Sequence, residues 1–536
     1  MSDILRRDRN ASILKYVHAV TCQACDGTRL NADALSVTVH GKSIAEIVSL
    51  ELNELKSWIQ SNNWEKVARE IIDKLDAQID MLVDLGLGHL TIDRPSKSLR
   101  PSELQRIRVA NQILAPLSNV LYVFDEPSIG LHHEENERLI FHLKSLVSKG
   151  NTVIVVEHDL DTITRADHII EIGPGAGTDG GEVIFNGPFS AFAAATKLKY
   201  TSPTYRAIKQ PIRQASSPSK SSSQDPAIRL VGCHERNLKN IDVAFPLGKF
   251  TVVSGRSGVG KSSLIKDTLL KAVWQQLGIE EGEEPKVSGH ENLDAINKLI
   301  FVDHSPIGKT PRSNPATYLG ISDHIRDLYA SLPKSKKQGY TKSRYSFNSR
   351  GGRCETCEGA GKTQIGMHFL GNVDLLCGTC SGDRFNAETL LVTYKGLSIA
   401  DVYKLSIHDA ISFFANEKKI LAGLKILQEI GLGYLRLGQS SSTLSGGEAQ
   451  RIKIANQLQK KDTGDTLYVI IEPSIGLHQD DINSLLQMFD RIKAKGNTIV
   501  CIEQDEVVIA WSDWHIALGP IGGVLGGMII HQGAPQ

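Results

Sequence analysis

Three sets of residues in this sequence have the types and spacing to do chemistry. The first is Gly255-x-x-x-x-Gly260-Lys261-Ser262, inside "FTVVSGRSGVGKSSLIKDTLL". Glycines so placed let backbone N–H groups converge on a phosphate chain, while Lys261 reaches the outer phosphates and Ser262 can hold Mg2+. The loop comprises Gly255, Arg256, Ser257, Gly258, Val259, Gly260, Lys261, Ser262 and Ser263, between a β-branched strand and a helix, the context this chemistry requires. The second set is a pair of near-copies, "LYVFDEPSIGLH" (121–132) and "LYVIIEPSIGLH" (467–478). The first strand ends in Asp125 and Glu126; in the second, Ile471 precedes Glu472. The third set is Cys354-x-x-Cys357 and Cys377-x-x-Cys380, separated by nineteen residues. Each pair forms a tight turn aiming two thiolates at one tetrahedral ion, and the separation suits a four-cysteine zinc site.

The elements that must position these groups belong to a chain of 536 residues, enough for two or more domains. Sixty basic residues balance sixty acidic ones, so no global field draws the protein to nucleic acid or membrane, and any such binding needs a local patch. One stretch qualifies: "KSKKQGYTKSRYSFNSRGGR" (334–353) holds seven basic residues and no acid. Lys334, Lys336, Lys337, Lys342, Arg344, Arg350 and Arg353 are interleaved with Tyr340, Tyr345 and Phe347. On charge alone this is a phosphate-contacting surface or a solvated basic loop, and its Gly, Ser and Asn content predicts loop. No apolar run reaches the roughly 18 residues of a membrane helix, and "MSDILRRDRN" lacks the apolar core of a signal peptide. Six of eight cysteines fall in C-x-x-C pairs, which suits metal ligation in a reducing, cytoplasmic setting. Cys233 and Cys501 sit in strand-like runs and are expected to be small core residues.

The chain repeats itself. "TCQACDGTRLNADALSVTVHGKSIAEI" from Thr21 matches "LCGTCSGDRFNAETLLVTYKGLSIADV" from Leu376. "SLRPSELQRIRVANQI" from Ser98 matches "TLSGGEAQRIKIANQL" from Thr443, and "GNTVIVVEHDLDTITRADHIIEIGP" from Gly150 matches "GNTIVCIEQDEVVIAWSDWHIALGP" from Gly496. The order is constant and the offset nearly so, which makes this a duplicated domain. The expected organisation is an incomplete first copy over 1–205, a Ser/Pro-rich linker over 206–226, and a second copy over 227–536. By the spacing of the matched cysteines, a counterpart of Lys261 would fall before Met1, so the first copy is expected to have no phosphate loop. Cys22 and Cys25 match only the second zinc pair and are expected to be metal-free or poorly occupied.

The order of a phosphate loop, then Leu444-Ser445-Gly446-Gly447-Glu448, then a hydrophobic strand ending in Glu-Pro is that of ABC-type ATPases. The likeness narrows further. "DHSPIGKTPRSNPATYLGISDHIRDLYA", "YSFNSRGGRCETCEGAGK" and "TLSGGEAQRIKIANQL" resemble the second half of the UvrA family, DNA-damage-recognition subunits of nucleotide excision repair. That resemblance implies an α/β fold of two ABC-type modules, with helical signature regions and a four-cysteine zinc insertion at 334–385. It implies ATP, Mg2+ and Zn2+ as cofactors, damaged double-stranded DNA as partner, and a homodimer. It also implies that UvrB docking is not expected here, since the docking domain falls in the upstream part that this sequence does not match.

In such modules ATP lies between a phosphate loop with its acidic strand and switch histidine, and the opposing signature. The resemblance assigns Asp125 and Glu126 to Mg2+ and the attacking water, with His158 as switch residue, facing Ser445, Gly446, Gly447 and Glu448. It assigns Glu472 the same role behind Lys261, but there Ile471 replaces the Mg2+ aspartate and Gln504 the histidine, and position 304 is His rather than Gln. The facing signature reads Leu99-Arg100-Pro101-Ser102-Glu103, without its glycines. Each site is thus expected to be broken in a complementary way: ATP binding with weak or no hydrolysis by the chain alone, unless a separate polypeptide supplies the first phosphate loop. The alternatives are a non-catalytic DNA-binding scaffold, or UvrA-like protection of DNA against an intercalating drug.

Overall fold

The computed structural model describes residues 21–535 apart from 116, 176, 178–179, 196–201, 210–224, 280–283, 309, 311, 368–370 and 460–463. Most of the expected linker lies outside the described residues. The chain divides into two compact units after Ala115, not at the linker. The second unit therefore takes in the acidic strand and switch loop of the first sequence copy.

In the first unit β1 (Thr38–Val39) pairs with β2 (Lys42–Ser43), and the other regular elements among the described residues are helices. Ser43 starts the helix Ile44–Val48 with a capping box closed by Glu46, whose carboxylate accepts from the Ser43 N–H at 2.7 Å. In the helix Leu52–Ser61 the buried residues Leu52, Leu55 and Ile59 recur at helical spacing. They pack with Ile79 of the helix Lys66–Asp84 and with Leu87 and Leu90.

The second unit holds β3 (Leu121–Asp125), β4 (Thr152–Val156), β5 (His168–Gly173) and β6 (Glu182–Pro188). There follow β7 (Ala227–Cys233), β8 (Ile241–Pro246), β9 (Phe250–Ser254), β10 (Gly289–Glu291) and β11 (Lys298–Val302). Two hairpins, β12 (Lys362–Met367) with β13 (Gly371–Leu376) and β14 (Thr393–Tyr394) with β15 (Leu397–Ser398), precede the last strands. These are β16 (Thr466–Ile471), β17 (Thr498–Ile502), β18 (Trp514–Gly519) and β19 (Met528–Gly533).

A six-stranded sheet of order β11-β16-β17-β9-β18-β19 forms the centre, parallel except for β19, and β10-β7-β8 form an antiparallel sheet. Every residue of β9, β16 and β17 is buried, as expected of parallel strands covered on both faces. Side chains alternate between two cores. Val253, Val469, Val500 and Ile502 face Leu264, Ile265 and Leu269. Val252, Tyr468, Ile470 and Ile499 face Leu485, Leu486 and Phe489 of the helix Gln479–Lys493. The α/β class with ABC-type layering is the fold this chain adopts. One local difference is that Ser263–Leu270, directly after the phosphate loop, is π-helical; Thr268 Oγ1 donates to Ser263 O, five residues back, at 2.9 Å. Cys233 and Cys501 are fully buried, as small core residues.

Candidate nucleotide site and cysteine cluster

The loop 255–263 leaves β9 on glycines that no other residue can replace cheaply. Gly255, Gly258 and Gly260 have φ of 136°, 75° and 112°, and a Cβ on Gly255 would meet Leu518 O at 2.3 Å. The loop is braced from behind by Asn237, whose amide donates to Gly258 O at 3.1 Å. Lys261 is buried, and its ammonium donates to the carbonyls of Gly255 and, at 2.9 Å, Arg256. The lysine thus closes its own loop through hydrogen bonds that outer phosphate oxygens could accept instead. Arg256 pairs with Glu134 on the helix His133–Ser148 of the first copy.

Both acidic strands end in the same unusual turn. Glu126 and Glu472 have φ of 45° and 48°, left-handed values rare for a non-glycine residue, and their N–H groups donate to Val156 O at 2.9 Å and Ile502 O at 2.7 Å. Before Glu472, Ile471 is 9% exposed and packs into the core, while its carbonyl accepts from Gln450 Nε2 at 2.7 Å. Glu126 and His158 come together, with Nε2 3.4 Å from Oε1, and that contact raises the imidazole pKa against the opposing effect of burial. Glu126 also lies beside the turn after Glu472: a Cβ on Gly476 would sit 3.4 Å from Oε2. Gln504, in the switch position of the second copy, donates to Gly130 O of the first at 3.4 Å.

Position 304 is held in place from both sides. Lys453 Nζ, on the signature helix Gly446–Leu458, reaches Asp303 Oδ1 at 2.6 Å and Ser305 Oγ at 2.5 Å. His304 between them sits against Gly446, and its Nε2 is buried without a hydrogen-bond partner. Burial lowers its pKa, with Glu472 and Asp303 pulling the other way. Ser445 caps the signature helix, accepting from Glu448 N at 3.2 Å, while Glu448 accepts from Ser445 N at 2.7 Å and from Tyr434 OH at 2.6 Å. A Cβ on Gly447 would meet Ile475 O at 2.8 Å. In the first unit the equivalent helix Pro101–Leu114 is started by Arg100, whose guanidinium lies on Glu103 at 2.7 Å. Glu103 is buried; desolvation is outweighed by His89 and Arg100, which hold its carboxyl well below the usual range.

Sequence reasoning missed the glutamates behind the switch residues. Glu503 accepts from the N–H groups of Ser474 (3.0 Å), Gln504 (2.7 Å) and Asp505 (3.3 Å), so it ties the acidic turn to the switch loop. Burial raises its pKa to about 7 in spite of those donors. Glu157 does the same for Ser128, His158 and Asp159 at 3.0, 2.9 and 3.2 Å. The signal was the acid shared by "VEHD" and "IEQD".

The four cysteines converge. Sγ of Cys354 and Cys377 are 3.9 Å apart, those of Cys357 and Cys380 3.7 Å, and all four sulfurs lie within 4.8 Å of one another. Tetrahedral zinc with bonds near 2.3 Å needs sulfurs about 3.8 Å apart, so the donor set fits that ion. The N–H groups of Cys380 and Thr379 hold the Cys377 thiol down at about 6, whereas burial pushes Cys380 up to about 12. Arg384, just past the second pair, lies over the Phe347 ring and donates to Gly438 O at 3.2 Å, ahead of the signature. Cys22 and Cys25 have no second cysteine pair beside them among the described residues.

The basic stretch is less loop-like than its composition predicts. Pro333 starts a helical turn over Pro333–Lys337, and Lys342–Tyr345 form a 3-10 turn. Tyr345 and Phe347 are core residues rather than exposed stacking platforms. Lys342 pairs with Asp327 at 3.0 Å, Arg344 with Glu388 at 2.7 Å, and Arg353 with Glu355 at 3.1 Å. Lys334 donates to Leu391 O at 2.7 Å. Lys336, Lys337 and Arg350 are exposed.

No protein-family model matches the chain. Over 534 residues it is 44% identical to UvrABC system protein A of Methanothermobacter thermautotrophicus, covering 97% of this chain and 54% of that protein. Over 530 residues it is 45% identical to UvrABC system protein A of Streptomyces coelicolor, covering 97% and 52%. The solved structure of UvrA2 from Deinococcus radiodurans superposes with a TM-score of 0.88 at 39% identity, over 100% of this chain and 66% of that one. The chain therefore spans about half the length of the curated relatives it matches.

Proposed function

Because the chain belongs to the UvrA family, we propose that it is an ATP-binding protein of nucleotide excision repair. In this reading it contacts damaged duplex DNA and turns ATP over weakly or not at all by itself. The observation that carries the reading is the contrast between the two acidic strands. Asp125 ends one of them at the surface, while Ile471 ends the other inside the core, beside a complete phosphate loop.

At that loop the amides of 255–263 would receive the phosphates, and Lys261 would swing its ammonium from the carbonyls of Gly255 and Arg256 to the outer phosphate oxygens. Ser262 would hold Mg2+, which when bound would neutralise developing charge on the phosphates. Glu472 is the group to orient and deprotonate water, but Ile471 offers the ion no carboxylate, and removing one such stabilising group costs about 3 kcal/mol or more of the barrier reduction. The four cysteines would hold Zn2+ as a structural ion, fixing the fold around Arg384 and Phe347. The exposed Lys336, Lys337 and Arg350 would meet backbone phosphates, a mode of contact that tolerates any base sequence.

The test is MgATP binding and hydrolysis by the purified chain, with and without lesion-bearing duplex DNA, against Lys261→Ala. Binding lost in the variant, with little turnover in either protein, is the expected result. DNA-stimulated turnover abolished by Lys261→Ala would mean that the site works despite Ile471.

A further inference from the structure

The strand β16 ends in Ile471 rather than an acid, yet a donor of another kind stands beside it. β11 runs parallel to β16 and pairs Val302 with Ile470. Carried two residues on, that register sets Asp303 level with Ile471 and His304 level with Glu472. Glu472 is near enough for its charge to act on the His304 imidazole. The backbone around the histidine is pinned on both sides, because Lys453 Nζ reaches Asp303 Oδ1 at 2.6 Å and Ser305 Oγ at 2.5 Å.

The ring also has a defined orientation. Its Nδ1 lies on the Gly446 side, 3.6 Å from where a Cβ on that glycine would stand, and the Gly446 backbone favours a proton on the ring. Nε2, the other ring nitrogen, is buried and has no hydrogen-bond partner. The proton that Gly446 favours therefore belongs on Nδ1, which leaves a lone pair on Nε2. A buried polar atom without a partner is uncommon and calls for a reason. An imidazole with Nδ1 engaged by backbone and Nε2 free to donate its lone pair is arranged as a metal ligand.

We propose that His304 Nε2, with the Ser262 hydroxyl, ligates the divalent cation of the nucleotide bound at Lys261, in place of the acid missing at 471, and that this ligand makes the site prefer a first-row transition ion to Mg2+. The inference rests on the nucleotide site proposed above. Its chemistry follows from the donor set. Mg2+ is small and hard, takes oxygen ligands in a strict octahedron, and gains little from a ring nitrogen. Imidazole suits the later first-row ions, and affinity at a nitrogen-bearing site rises from Mn2+ through Co2+ to Ni2+. Isoleucine at 471 and histidine at 304 are thus one paired change: an oxygen donor is absent from one strand, and a nitrogen donor stands level with the gap on its neighbour.

The experiment uses the full, zinc-loaded chain with ADP, so that turnover plays no part. Calorimetric titration in saturating Mg2+, Co2+ or Ni2+ should give ADP binding about tenfold or more tighter with Co2+ or Ni2+ than with Mg2+. His304→Gln, with folding checked by zinc content and nucleotide-free melting, should lose most of that difference. Pulsed electron paramagnetic resonance of the Mn2+–ADP complex should show coupling to a directly bound imidazole nitrogen, absent in His304→Gln. Ile471→Asp offers an oxygen donor again and should move the preference back toward Mg2+, an outcome that does not depend on how the histidine variant folds. ADP binding that is equally tight with all the ions, or a preference that His304→Gln leaves unchanged, would overturn the proposal. So would a Mn2+ complex with no nitrogen coupling. Failure of ADP to bind with any ion would remove the nucleotide site itself, and this inference with it.

Discussion

Replacing Ile471 by Asp restores the acid that the first copy keeps at Asp125, and the structure fixes what this costs. Ile471 is 9% exposed in the apolar cluster that includes Val253 and Ile502, so losing its side chain removes about 1.5–3 kcal/mol of burial. The new carboxylate would also stand next to Glu472, a like charge that resists its ionisation. Without nucleotide, Ile471→Asp should therefore melt earlier than the parent. With MgATP the variant should gain more than the parent. A carboxylate that gains the ion ties nucleotide binding more tightly to the folded state, and ligand at a hundredfold excess over its dissociation constant contributes about 2.7 kcal/mol. The melting temperature of the variant should rise more on adding MgATP than that of the parent, and the extra rise should vanish when EDTA removes the metal. Turnover should increase by about a hundredfold, the equivalent of about 2.7 kcal/mol in the barrier. Scanning calorimetry and a phosphate-release assay read the two effects separately. If ATP binding persists while neither the MgATP-dependent shift nor the turnover changes, Ile471 is not what limits this site, and the reasoning fails.

Three further outcomes follow from the same geometry. Lys336→Glu/Lys337→Glu should weaken duplex binding and flatten the plot of log K against log salt by about 0.9 for each phosphate no longer neutralised; Lys342→Glu, whose lysine already pairs with Asp327, should do less. Metal analysis should find one zinc per chain, and Cys357→Ser/Cys380→Ser should lose the ion together with part of the thermal stability. Glu503 has a folded pKa raised from 4.5 to about 7, so its contribution is fully present below 4.5 and is lost as pH rises through 7. Unfolding free energy should fall across that window by about 3 kcal/mol, and Glu503→Gln should flatten the fall.

Much of the site was legible in the sequence because its chemistry depends on local spacing. The phosphate loop, the two strand-ending glutamates and the four cysteines are each specified within a few residues, and the cysteines close to within 4.8 Å as their spacing implies. What escaped depends on distant partners. The basic stretch was read by charge, but Lys342 and Arg344 find carboxylates at 327 and 388, and Tyr345 and Phe347 turn inward to a core that only the fold assembles. The roles of Lys453 as anchor of the 303–305 turn and of Arg384 as the link to Gly438 required contacts across 148 to 150 and 54 residues of chain. Composition could not reveal that the compact units part after Ala115, because that division reflects which segments lie in contact rather than which share ancestry.

The paired glutamates Glu157 and Glu503 carry a separate message. A chain that contains the same domain twice is its own control, since both copies obey one set of folding rules while each is free to drift in chemistry. Between them an aspartate has become isoleucine, a histidine glutamine, and two glycines proline and serine. The glutamate that gathers three amides has stayed, with donor distances matching within 0.2 Å in the two copies. Its job is thus architectural: a turn ending in a left-handed glutamate needs those carboxyl oxygens to hold the next loop, whether or not the site behind it hydrolyses anything. Inactive duplicates of such domains can lose their reactive groups one at a time, but they should unfold locally when this residue goes.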